Sequence, residues 1–304
     1  MCESAVLQLA SAAGSALVAA VVADGTVQIW DSRTSERVSE FETFYSFGGH
    51  RLALDPTGNL CAAASWNKGK RCGVACYDVQ SSQMLWHRTD IKHTQQVRFA
   101  SDSNSIYCGM EEGPLLRLQA ANGETVEELL DVEDVHGSPY SAHVLMVCRS
   151  YVFVVEGPGK FRFPRTAFVS SSMRKLPCGL TGIAFGFDSL CVAEAGPVST
   201  MRCLDYTGGE RWRLELPKPT GVDVLCYRKA DQHFYGVERD VFSSSWRFLV
   251  RYSEAGDGVR ICPLNSWGEA FCLNGDIIVT IAGDVIETAQ GKTTNSLRFP
   301  KWAG

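Results

Sequence analysis

Acidic side chains recur in this chain where apolar segments end. Asp24 follows A-L-V-A-A-V-V-A, Glu111 and Glu112 follow S-I-Y-C-G-M, Glu156 follows V-F-V-V, Glu194 follows S-L-C-V-A, and Glu238 follows H-F-Y-G-V. Asp284 comes one position late, after I-I-V-T-I-A-G, and Asn67-Lys68 breaks the series once. Carboxylates gathered at one opening focus a negative potential that draws in cationic groups. Each can instead cap its own turn or pair with a neighbour such as Lys68, Lys160 or Arg239. Two of them, Glu111 and Glu156 for example, could also serve as general acid and base, in the manner of a hydrolase or lactonase using a divalent metal. His50, His93 and His136 recur at equal spacing, and imidazole with carboxylate suits several divalent ions. Tyr45, Phe47, Tyr140 and Trp267, with Trp66, fall in segments that read as loops, where aromatic anchors dominate protein interfaces.

Other chemistry lacks its motifs. The chain has no G-x-S-x-G elbow, no phosphate-cradling G-x-x-x-x-G-K-[ST] and no H-E-x-x-H. The expectation is a noncatalytic protein with no catalytic residues, no metal site and no cofactor. A net charge of -5 removes the electrostatic support that nucleic-acid binding needs. Twelve cysteines are many, yet most sit inside apolar strands. No C-x-x-C occurs, and Cys72 and Cys76 have no histidine pair to complete a zinc site. Small buried thiols in a reducing cytoplasm are the natural reading. The N-terminal apolar stretch lacks a basic lead and runs straight into a hairpin, so it reads as strands and not as a signal peptide. No other run is long and apolar enough for a membrane span.

The elements that position these residues are hairpins. From Gly25 to Glu42 an alternating strand ends at Asp31, turns through S-R-T-S and resumes as a second alternating strand. The same polar corner returns as Y-D-V-Q-S-S-Q from Tyr77, L-Q-A-A-N-G-E from Leu118, L-D-Y-T-G-G-E from Leu204, Y-S-E-A-G-D-G from Tyr252 and I-E-T-A-Q-G-K from Ile286. One hairpin repeated at a period of about 43 residues is the signature of a β-propeller. The 304 residues accommodate seven such units. The fold expected is therefore all-β: a single domain forming a seven-bladed β-propeller of four-stranded antiparallel blades. The blades are placed at about 5–42, 49–90, 95–131, 143–176, 180–217, 222–264 and 269–300. The ring is expected to close by packing of the first blade on the last, without strand exchange. In this frame the acids end second strands and ring one mouth of the channel, and the three histidines open successive blades beside it.

Gly49-His50 followed by Tyr77-Asp78, and Asp24-Gly25 followed by Trp30-Asp31, resemble degenerate WD-repeat blades, and the G-G-E corner at Gly208 is similar to quinoprotein-like propellers. The WD-repeat resemblance implies a noncatalytic scaffold that binds protein through its loop face and channel mouth, and a histidine bonded inside its own blade. The partner expected is a protein with a basic surface, bound by a chain that is a monomer on its own. One specific form is an immunity protein covering the cleft of a cationic toxin, and another is a scaffold subunit of a larger complex.

Overall fold

The second strands are near-continuous apolar runs, L-V-A-A-V-V at Leu17–Val22 and L-C-A-A-A-S at Leu60–Ser65. The fourth strands alternate, as in R-V-S-E-F-E at Arg37–Glu42. The first pattern suits a strand covered on both faces, and the second suits a half-covered edge. A computed structural model places both accordingly. It describes residues 6–12, 14–43, 50–65, 72–100, 102–110, 114–129, 132–137, 144–148, 151–156, 159–164, 180–186, 188–194, 198–205, 209–217, 220–228, 231–240, 246–263, 271–274, 277–280, 283–287 and 291–299.

The described residues form four-stranded antiparallel sheets, each made of four consecutive strands. The first holds Val6–Ser11, Leu17–Val22, Thr26–Asp31 and Arg37–Glu42, and the second His50–Leu54, Leu60–Ser65, Gly73–Asp78 and Met84–Arg88. The third runs from Thr94–Phe99 to Thr125–Leu129, and the fourth from Val132–Gly137 to Gly159–Pro164. The fifth runs from Leu180–Phe185 to Glu210–Glu215, the sixth from Thr220–Arg228 to Gly258–Pro263, and the last from Phe271–Asn274 to Lys292–Ser296. First strands lie against one another from the first sheet to the fourth, between the fifth and sixth and between the last and first, with fourth strands at the far edge of each sheet, as in the radial arrangement of a propeller.

Sheets pack face to face through apolar seams. The first and second sheets share Val21, Ile29, Phe41, Leu52, Leu54 and Tyr77, with Phe41 stacked on Tyr77 at 4.3 Å between ring centroids. The second and third share Ala62, Val74, Val97, Ile106 and Leu118. Alanines and cysteines of the second strands keep these seams close. The last sheet meets the first through Val279, Val285, Leu297 and Phe299 against Val6, Val18 and Trp30, and Phe299 meets Trp30 edge-on at 6.0 Å. Among the described residues neither sheet borrows a strand from the other, and the two meet by packing, in line with the expectation.

A second device fastens three of the seams at the rim. Trp86, in the fourth strand of the second sheet, donates its indole N–H to the Ala120 carbonyl in the third sheet's polar corner at 2.7 Å. Trp212, at the matching position of the fifth sheet, donates to the Glu254 carbonyl of the sixth at 2.8 Å. Ser39 and Ser82 hydroxyls meet at 2.7 Å in the same relation between the first and second sheets. The corners are shaped to receive these groups. Gly123 has φ of +74°, and a Cβ there would lie 2.7 Å from the Trp86 ring. Within the corners, aspartates accept backbone N–H groups: Asp31 from Arg33 at 2.8 Å, Asp78 from Ser81 at 2.7 Å, and Asp205 from Gly209 at 2.8 Å.

One expected boundary moves. The fourth sheet begins at Val132, three positions after the third sheet's last strand ends at Leu129, and spans Val132–Gly137, Val144–Cys148, Tyr151–Glu156 and Gly159–Pro164 instead of 143–176. The cause is that V-E-D-V-H-G carries two acids in a first strand and reads as a linker. That displaces the strand register of this unit by one.

Gly123→Ala is expected to destabilise the fold by about 2 kcal/mol or more, because strained backbone and a clash with Trp86 act together. Trp86→Phe, which keeps an aromatic ring but loses the indole N–H and part of the ring's bulk, is expected to cost about 1–2 kcal/mol. Urea denaturation of the two variants checks both. The Ser81 hydroxyl and amide hold the Asp78 carboxyl below its ordinary pKa. The corner's electrostatic contribution is then full above the unfolded carboxylate pKa and is lost as pH falls through the folded value. In Ser81→Ala, carboxyl-carbon NMR titration is expected to show the Asp78 pKa move back up.

Candidate functional site

Antiparallel order sorts the connections onto two faces. A turn between second and third strands lies at the same end as the connector leaving the fourth strand, and the other two turns lie at the opposite end. The acids expected at second-strand ends belong to the first of these faces.

Asp24 stands there, exposed, between Leu17–Val22 and Thr26–Asp31. Its Oδ1 accepts the Thr26 N–H at 2.8 Å, so it caps its own turn while one oxygen stays open to solvent. Gly25, at φ of +92°, makes the reversal that a side chain would oppose. Its N–H donates to the Val22 carbonyl at 2.9 Å, and its carbonyl accepts from the Thr43 N–H at 3.0 Å and hydroxyl at 2.6 Å. The turn is thereby tied to the chain leaving the fourth strand. The same tie recurs where Leu216 N–H donates to the Ser199 carbonyl at 2.9 Å and Leu297 N–H to the Gly283 carbonyl at 2.7 Å. At Gly73 and Gly283 the backbone approaches so closely that a Cβ would lie 2.1 and 2.2 Å from the Arg88 and Leu297 carbonyl oxygens.

Glu194 ends the second strand of the fifth sheet, opposite Leu180 and Thr200, and belongs to this face by its backbone position. Asp284 begins the third strand of the last sheet, at the same face, and its N–H donates to Thr280 Oγ1 at 3.3 Å. Glu111, Glu112, Tyr45, Phe47, Tyr140 and Trp267 lie outside the described residues, as does Trp66.

Two acids do not join the series. Glu156 ends a third strand, Tyr151–Glu156, and pairs with Gly159 across the next turn, which puts it at the opposite face. The displaced register of the fourth sheet is the reason. Glu238 lies two residues before the end of His233–Asp240 with its side chain only 8 % exposed. Its Oε2 accepts Arg260 Nε–H at 2.8 Å from the outermost strand, and Arg260 in turn lies over the Phe248 ring at 4.7 Å. A carboxylate held this way is a blade-internal ion pair and is not free at the mouth. The described partner is Arg260. Nothing in local sequence marks it, since the partners are on different strands.

The histidines also separate. His50 opens its strand and His93 directly precedes one, but His136 is the fifth residue of Val132–Gly137, near the far end. Equal spacing in sequence does not carry into equal position, again because the fourth sheet starts early. Among the described residues no group of three or more His, Cys, Asp or Glu side chains is placed to hold a metal ion. Cys72 and Cys76 do not converge on a site: Cys72 Sγ faces the Thr89 carbonyl at 3.9 Å, and Cys76 lies in the seam between the second and third sheets. Burial pushes the Cys76 and Cys108 thiols up to about 12, which keeps them neutral and poor as ligands. Among the described residues no helix is long and apolar enough to cross a membrane.

Asp24→Asn should keep the turn, because an amide oxygen can accept the Thr26 N–H, and should change stability by less than about 0.5 kcal/mol. Glu238→Ala should cost about 1 kcal/mol, limited by the water that reaches Arg260. Thermal denaturation of the pair tells a turn-capping, solvent-facing acid from one bound inside its blade.

No protein-family model matches this chain, and no curated protein matches its sequence. Solved structures do. The structure of U3-55K, a WD40 β-propeller, has a TM-score of 0.68 at 13% identity, over 91% of this chain and 88% of its own. Hydrazine synthase from Kuenenia stuttgartiensis, which contains propellers, has a TM-score of 0.68 at 10% identity, over 95% of this chain and 97% of its own. At such identities the likeness concerns the fold, and with the sheets described above it makes this chain an all-β protein of β-propeller architecture.

Proposed function

We propose that this chain is a noncatalytic, protein-binding propeller of seven blades, in which the fourth sheet meets the fifth to complete the ring. Its working surface is the face formed by the turns between second and third strands and the connectors between sheets. The observation that carries this reading is the repeated tie between those turns and the chain leaving each fourth strand, at Gly25, Ser199 and Gly283. Such a tie holds the face in one shape before any partner arrives, which lowers the ordering cost of association. Asp24 is exposed on it, and Glu194 and Asp284 stand at the same end of their blades by backbone position, which favours a partner with a basic surface. Glu156 and Glu238 are left out of the binding set. An immunity protein opposing a cationic toxin is one form this function would take, and a subunit docked in a larger complex is another.

The test is affinity capture with the wild-type chain beside Asp24→Asn and the Asp24→Lys/Glu194→Lys double variant. The wild type is expected to retain a stoichiometric basic protein that elutes as salt rises. Asp24→Asn should weaken retention several-fold, and the double reversal should abolish it. A partner held equally by all three proteins, or no partner at stoichiometric yield, would sink the reading.

A further inference from the structure

The fifth sheet sets two thiols opposite each other. Cys191, in the second strand (Ser189–Glu194), is the cross-strand partner of Cys203 in the third (Thr200–Asp205). Both are free and fully buried. The phase of the ladder follows from its ends. The Ser199 carbonyl accepts from Leu216 N–H, and Asp205 N–H donates to the Gly209 carbonyl at 2.8 Å. Odd-numbered residues of the third strand therefore turn their backbone polar groups toward the fourth strand. The Ser189 carbonyl accepts from Gly186 N–H at 2.7 Å, so odd-numbered residues of the second strand turn theirs toward the first. Cys191 and Cys203 are thus a non-hydrogen-bonded pair. That is the register in which facing Cα atoms come nearest, about 4.5 Å apart. Disulfides bridge Cα separations of about 4.4–6.8 Å. The second sheet offers a contrast, since Cys61 faces Tyr77 and Cys76 faces Ala62, which sends those two thiols into different seams.

We propose that Cys191 and Cys203 form a redox site, a dithiol that a low-molecular-weight disulfide such as glutathione disulfide converts into a cross-strand disulfide. Burial pushes both thiols up, and at Cys203 the Ser189 hydroxyl and then the nearby Arg211 charge work against that rise, which makes Cys203 the attacking sulfur. Its thiolate attacks one sulfur of glutathione disulfide, whose S–S bond breaks and releases one glutathione thiolate. Cys191, losing its proton, then attacks the Cys203 sulfur of the mixed disulfide and displaces the second glutathione thiolate. Two electrons pass from the protein thiols to the glutathione disulfide, and the two protons released end on the two glutathione thiols. The pair sits in the seam with the sixth sheet, beside Ala184, Val222, Phe234 and Tyr252. The reagent therefore reaches it only while that seam is open, during folding or local opening. Once formed, the bridge closes the segment that carries Glu194, and the same seam shields it from reduction.

The full chain is unfolded, refolded in glutathione disulfide, alkylated and digested without reductant. The expected product is a linked peptide pair joining Cys191 to Cys203, about 2 Da lighter than the two thiol peptides together. It should exceed any other cysteine pairing by about tenfold, and form about tenfold more slowly when the reagent is added to already folded protein. Cys61→Ser is expected to leave the linked pair in place. Recovery of Cys191 and Cys203 as alkylated thiols after refolding, or their linkage to other cysteines as often as to each other, would overturn the proposal.

Discussion

The rim contact between one sheet's outermost strand and the next sheet's polar corner is the constraint on which the other features depend. A fourth strand has a bare edge and a face that the widening gap between blades leaves half covered. Trp86 and Trp212 cover it by reaching across and giving their indole N–H to a corner carbonyl. A large apolar ring with a single donor fits a corner whose backbone would otherwise carry unpaired carbonyls. The corner must then be tight and open at the receiving spot, which is why Gly123 and Gly256 hold left-handed φ under those rings. Ser82 holds the same conformation in the second sheet's corner, which receives Ser39 and not a tryptophan from the first sheet's fourth strand.

With the rim fastened, the interior can be built of small side chains. Ala19, Ala20, Ala62, Ala63 and Ala64 are buried in second strands. They bring the sheets close enough for Ile29, Leu52 and Ile106 to fill the remaining space. Each fully buried aliphatic of that size contributes about 1.5–3 kcal/mol, so the seams and not the short strands themselves hold the molecule together. The seam between the last and first sheets is of the same kind, and Phe299 on Trp30 does there what Phe41 on Tyr77 does one blade later.

The two faces then acquire different characters. On one, corners and first turns are knitted between sheets: Gly14 N–H donates to the Pro56 carbonyl at 2.7 Å, and Ser103 Oγ donates to buried Asp55 at 2.7 Å. On the other, the described turns at Gly25, Ser199 and Gly283 are tied to their own blade's exit strand, and the Asp24 side chain is exposed. A surface that is rigid in backbone and open in side chain is suited to recognition, which is the physical ground for the proposed binding face.

Much of this was legible in the residue order. Strand alternation, Asp-Gly reversals and the repeated polar corner are local signals, because a period of two and a left-handed turn are properties of a few adjacent residues. They specify the hairpins, the four-stranded unit and the propeller class, and the end-to-end packing follows from a register that starts on a first strand. Partnerships between strands are not local. V-E-D-V-H-G looks polar until the strand beside it is known, so the fourth sheet, Glu156 and His136 were misplaced together. Glu238 resembles the other acids until Arg260 arrives from two strands away. Trp86, Trp212 and the facing Cys191 and Cys203 carry no short motif, and their roles exist only once neighbouring sheets or strands are in register. Chain order alone determined which segments become strands and corners, since that depends on near neighbours along the backbone. Tertiary structure decided which side chains meet, which acids are held in ion pairs and which thiols face each other, because burial and cross-strand register are set by residues distant in the chain.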